Sequence, residues 1–106
     1  MTLGEWLAVR DPVPPPALAA RIRDTLGGRI HLSGTHAAET CLDAAEELLH
    51  GLIESGRGTR ASALDLLAAD ALVTYAMERA GEEPSSIPQR TAYAMQRLAA
   101  LGTDRA

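Results

Sequence analysis

Ala61-Ser-Ala-Leu-Asp-Leu-Leu-Ala-Ala-Asp-Ala-Leu-Val-Thr-Tyr-Ala-Met77 contains no Gly or Pro and consists almost wholly of good helix formers. At about 100° per residue, Leu64, Leu67, Ala68, Ala71, Leu72 and Tyr75 share one face. Leu66, Val73 and Met77 form a second apolar line on roughly the opposite side. Only Asp70, Thr74 and Asp65 interrupt this surface. A helix apolar nearly all round is buried in a bundle or shared between chains. Either the rest of the chain wraps this helix, or a second copy does.

The neighbouring segments read as its covers. His36 to Ser55 is amphipathic, with Ala38, Cys41, Leu42, Ala45, Leu48, Leu49, Leu52 and Ile53 on one arc. Glu39, Asp43, Glu47, His50 and Glu54 occupy the other side. Ser33 or Thr35 is its expected cap, Ser55-Gly56-Arg57-Gly58 its turn, and Thr59 the cap of the central helix. Two long helices joined by a short turn predict an antiparallel hairpin.

Upstream, Thr2 and Glu5 form a capping box for a short helix from about Leu3 to Arg10. Asp11-Pro12-Val13-Pro14-Pro15-Pro16 is an extended, stiff linker, and Pro15 or Pro16 opens the next helix. That helix carries Leu18, Ile22 and Leu26 and stops at Gly27-Gly28. Arg29 to Leu32 alternates and predicts a brief extended stretch. Downstream, Ser86-Ile87-Pro88-Gln89 repeats the capping logic. A last helix to about Leu101 buries Ala94, Met95, Leu98 and Leu101, and residues 102–106 fray. The expectation is all-α: one domain, a compact bundle of about five helices centred on the long hairpin. Residues 1–14 would be a short helix with a Pro-rich linker, and 15–101 the bundle.

At 106 residues the chain buries ~65% of its unfolded surface, enough for a core. That core lacks Phe and holds one Trp and two Tyr, so stability per residue is modest. A net charge of −4 speaks against nucleic acid as a partner. So does the acidic outer face of the third helix, which would repel DNA in a helix-turn-helix arrangement. No apolar run is long enough for a membrane span. One cysteine and no signal-peptide pattern predict a reducing, cytoplasmic address. All basic residues are Arg, which points to GC-rich coding and a bacterial chain.

Four groups of residues bear on function. Glu47 and His50 form a single Glu-x-x-His, a spacing that chelates one ion and that two chains would duplicate. Asp70 lies mid-helix among apolar residues, as an inter-helix ion pair with Arg90 or Arg97, an exposed polar strip with Thr74, or a polar anchor in a ligand pocket. Trp6, before the rigid linker, either docks on a partner or plugs its own bundle. Arg21, Arg23 and Arg29 make a small basic patch. Cys41 sits inside an apolar arc, which marks a buried thiol and no nucleophile. His31, His36 and Cys41 lack the paired spacing of a zinc site.

Leu66 to Glu78 resembles a helix of the trans-prenyl diphosphate synthases, where Gly-Asp-Ala-Leu-Leu precedes an aromatic residue and Glu. The likeness covers about an eighth of the chain, and Ala69 stands where that family has Gly. The aspartate-rich motifs that hold magnesium and diphosphate are missing. The resemblance implies shared helix packing and carries over no catalytic residue.

The resulting expectation is a non-catalytic protein-interaction module without cofactor. It pairs as a homodimer, or with another protein, through Leu66, Val73, Met77 and Trp6. The alternative is a helical ligand or metal binder built on Glu47 and His50 or on Asp70.

Overall fold

A computed structural model describes residues 1–56, 58–82 and 87–104, with side-chain surroundings described for 1–56, 58–82 and 92–101. Its helices are α1 (Leu3–Ala8), α2 (Pro16–Leu26), α3 (Ala37–Ser55), α4 (Arg60–Gly81) and α5 (Ile87–Asp104). The fold is all-α, and the α3–α4 hairpin makes most of the packing.

Alanine shapes that hairpin. α3 buries Ala37, Ala38, Ala44 and Ala45 beside Cys41, Leu42 and Leu48. α4 answers with Ala68, Ala69, Ala76 and Ala80 around Leu72, which is fully buried. Helix separation follows the size of the side chains at the contact, and alanine lets the axes close in. This choice turns α4 away from the orientation its leucines predict. Leu67, expected on the core face, is 56% exposed, as is Leu66. A helical wheel weighs Leu and Ala by hydrophobicity, whereas close approach selects by size.

The hairpin's ends are built as the local chemistry dictates. Gly56 takes a left-handed conformation (φ 59°, ψ 19°) and its N–H donates to Leu52 O at 3.1 Å. An L side chain is strained there. The Thr59 hydroxyl accepts from Ser62 N at 3.0 Å and caps α4.

At the N-terminus the capping box is present. Thr2 N donates to Glu5 Oε1 at 2.8 Å, and Glu5 N donates to Thr2 Oγ1 at 3.1 Å. Leu3 N also donates to Leu32 O, and Gly34 N to Met1 O. Thr2 and Ser33 thus form an isolated antiparallel bridge. A Cβ on Gly34 would lie 3.2 Å from Met1 O, so the glycine permits this close approach.

Three expectations need correction. Of the stretch Arg29 to Leu32 only Leu32 is extended: Gly27–His31 is a 3-10 turn running straight on from α2. The Arg29 side chain supports it by donating to Thr25 O and Leu26 O, carbonyls at the end of α2. The helix of the last segment also continues past Leu101 to Asp104. Ser33 caps a 3-10 turn over Gly34–His36 and not α3 itself, which has no side-chain cap. The expected cap at Ser86 lies outside the described residues.

Leu72→Ala should cost ~2–5 kcal/mol in urea unfolding, while Leu67→Ala should stay within about 0.5 kcal/mol. Ala68→Leu should cost ~1–3 kcal/mol by overpacking the hairpin. Equal costs at Leu67 and Leu72 would mean that α4 faces the other way.

Candidate functional site

α5 lies over the groove between α3 and α4, and its two flanks differ. On the α3 side, the Tyr93 hydroxyl donates to Asp43, and Arg97 pairs with Glu46 and, at 3.7 Å, with Asp43. Burial first, and then the adjacent Asp43 carboxylate, push the Tyr93 hydroxyl up to about 12. It remains a protonated donor at any physiological pH. Part of the acidic stripe of α3 is therefore spent on holding α5.

On the α4 side the chemistry is apolar. Leu98 shares a small hollow with Val73, Leu42, Leu49 and Leu101, and Met77 shares another with Tyr93, Ala76 and Ala38. Met95 stands one turn from Leu98 on the same flank. Leu98 is 49% exposed, Met77 47%, Met95 64% and Leu66 56%. Together α4 and α5 thus carry two methionines and two leucines facing water. The four side chains together expose roughly 400–500 Å². Nothing in the sequence of α5 alone marked Met95 and Leu98, which were expected in the core. Only the position of α5 across the groove exposes them.

The predicted interface residues separate. Met77 lies on this seam beside Tyr93, and Leu66 is exposed further along α4. Val73 is half-buried between α3 and α5 and lies beneath the surface, flanking the core. Trp6 is inside its own bundle, edge-on to Tyr75 with ring centroids 6.3 Å apart. Its indole N–H donates to Glu82 Oε1 at 2.9 Å, and the Arg10 guanidinium stacks 4.3 Å above the ring. Arg10 Nη1 also donates to Glu82 Oε2 at 3.1 Å. This corner ties α1 to the end of α4 across the whole chain. Of the two uses that the sequence left open, Trp6 takes the internal one.

Asp70 is exposed on α4 beside Thr74, and it borders none of the described cavities. Arg97, a proposed partner, bonds Glu46 and Asp43 instead. The Arg90 side chain lies outside the described residues. Glu47 accepts two bonds from Arg29, at 2.6 and 3.0 Å, while His50 Nε2 sits 3.2 Å from Glu54. Their neighbours draw the two apart as a chelating pair. No group of three potential ligands assembles among the described residues. Cys41 is fully buried, and burial pushes its thiol up to about 12, which makes it inert as a nucleophile.

No family model, curated protein or solved structure matches this chain. No described helix is long and apolar enough to cross a membrane.

The Trp6–Glu82 contact carries a pH dependence. The indole N–H first, and then Arg10, hold the Glu82 carboxyl below its ordinary value of 4.5. A depressed carboxylate contributes stability that is fully present above the ordinary value and lost as pH falls through the lower folded one. Wild-type stability should therefore fall more steeply below about pH 4.5 than that of Glu82→Gln. The thermal midpoint, followed by Trp6 fluorescence between pH 3 and 6, measures the difference. Parallel curves would mean that the bond contributes nothing.

Proposed function

We propose that this chain is a protein-interaction module that pairs with a second copy of itself through the α4–α5 seam. The observation that carries the reading is that Leu66 and Met77 of α4 and Met95 and Leu98 of the neighbouring α5 are all exposed to water. An ordinary interface buries ~800 Å² per partner. A little over half of that is apolar, ~450 Å². The exposed apolar area of the seam matches this figure. One copy thus offers the apolar centre of a standard interface, and a two-fold axis lets the same patch serve both sides.

Asp70 limits where that axis passes. It lies on the same side of α4 as Leu66 and Met77, and an unpaired carboxylate is costly to bury. The contact centres on Met77 and Leu98, toward α5, and leaves Asp70 in water at the rim. Methionine suits such a contact, because its unbranched chain adapts to a flat apolar partner. Nothing in this reading requires catalysis or a cofactor.

Light scattering on a sizing column should give twice the chain mass at tens of micromolar or above. Leu66→Glu with Met95→Glu should return the single-chain mass with an unchanged helical spectrum. Both positions are exposed, so unfolding is not expected to confuse the result. A metal-bridged pair through Glu47 and His50 is the competing arrangement. It would dissociate on adding a chelator and survive the double substitution. A monomer at every concentration would remove the seam as a self-contact.

A further inference from the structure

The basic patch read from the sequence dissolves in the structure, with one exception. Arg21 donates to Asp65 at 2.5 Å and to Asp24 at 3.1 Å, which ties α2 to α4. Arg29 is taken up by Glu47 and the end of α2. Arg23 is exposed and makes no ion pair with any described residue. It lies on the rim of a cleft of about 180 Å³ between α1, the Pro-rich linker and α2.

The walls of this cleft are apolar: Leu7, Val13, Pro14, Ile22 and Ile30 are the large contributors. Its polar lining residues are Arg10, Arg23 and Tyr75, and no carboxylate lines it among the described residues. Arg10 is neutralised by Glu82 and stacked on Trp6, which leaves Arg23 as the uncommitted charge. Tyr75 hydrogen-bonds to no described residue through its hydroxyl. Burial raises its proton affinity, so it remains a donor. A cavity of ~150 Å³ is large enough for a benzene-sized guest. The cleft thus takes a body of roughly six to eight non-hydrogen atoms.

We infer that the cleft between α1, the linker and α2 binds a small monocarboxylate with an apolar body, whose carboxylate is held by Arg23 at the rim. Apolar walls with few polar groups at one end are the general form of a small-molecule site. The sign of the charge selects an anion, and the single free guanidinium selects one head group. A carboxylate fits its planar fork. A cationic guest of the same size meets the like charge of Arg23, and a neutral one forgoes the ion pair and has only the Tyr75 hydroxyl. The site is separate from the α4–α5 seam, so it stands or falls independently of the dimer.

The test uses the full chain and hexanoate as the probe, with hexylamine and hexanol as controls of equal length. Hexanoate should shift the methyl resonances of Val13, Ile30 and Leu7 saturably below about 10 mM. Hexylamine should not. Arg23→Gln removes an exposed side chain without ion pairs, so the fold is kept, and it should weaken hexanoate at least fivefold. Three results would each overturn the assignment: no saturable shift, equal binding of the amine or the alcohol, or an unchanged affinity in Arg23→Gln. The comparison among probes stands on wild-type protein alone, so the test holds even if the variant misfolds.

Discussion

The α3–α4 hairpin rests on alanine meeting alanine. α3 buries Ala37, Ala38, Ala44 and Ala45, and α4 buries Ala68, Ala69, Ala76 and Ala80, alongside Leu42, Leu48 and Leu72. Small side chains allow close approach, and dispersion contacts multiply when axes close in. Each alanine, however, removes little apolar area from water. A hairpin of this kind is tightly fitted but not self-sufficient. It needs covers, and the remaining helices are placed as covers.

The covers are incomplete, and each leaves one surface open. α1 spans Leu3–Ala8 and is held by Leu3, Trp6 and backbone bonds to Leu32 and Gly34. Such a short helix closes one end of the groove between α2 and α4 but does not fill it, and the cleft near Arg23 is what remains. α5 spends one flank on Tyr93–Asp43 and Arg97–Glu46. Its other flank meets α4 with Met95 and Leu98 still in water. The polar bonds set where α5 lies, and the apolar residue left over is the seam. Exposed ion pairs of this kind contribute little stability each. Here their effect is to orient.

Much of the architecture was legible because it is written in local chemistry. The Thr2–Glu5 box, the Pro16 start, the Gly56 stop and the Thr59 cap act within a few residues of themselves. Each stands where its spacing places it. Helix periodicity placed α3 and α4 correctly and predicted their pairing. It could not orient α4, because it ranks Leu67 above Ala69 by hydrophobicity, whereas the structure buries Ala69 and exposes Leu67. The extended reading of Arg29–Leu32 fails for a related reason. The bonds from Arg29 to Thr25, Leu26 and Glu47 favour a 3-10 turn, and the last of these crosses to another helix.

The sequence by itself determined the class, the number and order of helices, and the Gly56–Thr59 turn between α3 and α4. These depend on propensity, caps and breakers, all short-range. The tertiary structure alone decided which apolar residues are covered. It placed Trp6 inside and Leu66, Leu67, Met95 and Leu98 outside. It also distributed the charges: Arg21 and Arg29 are bound, Arg23 is left over, and Glu47 is drawn from His50. Burial and pairing are properties of what lies opposite a residue. In this chain the opposite partner is a distant segment, chosen by side-chain size and by charges that no local pattern records.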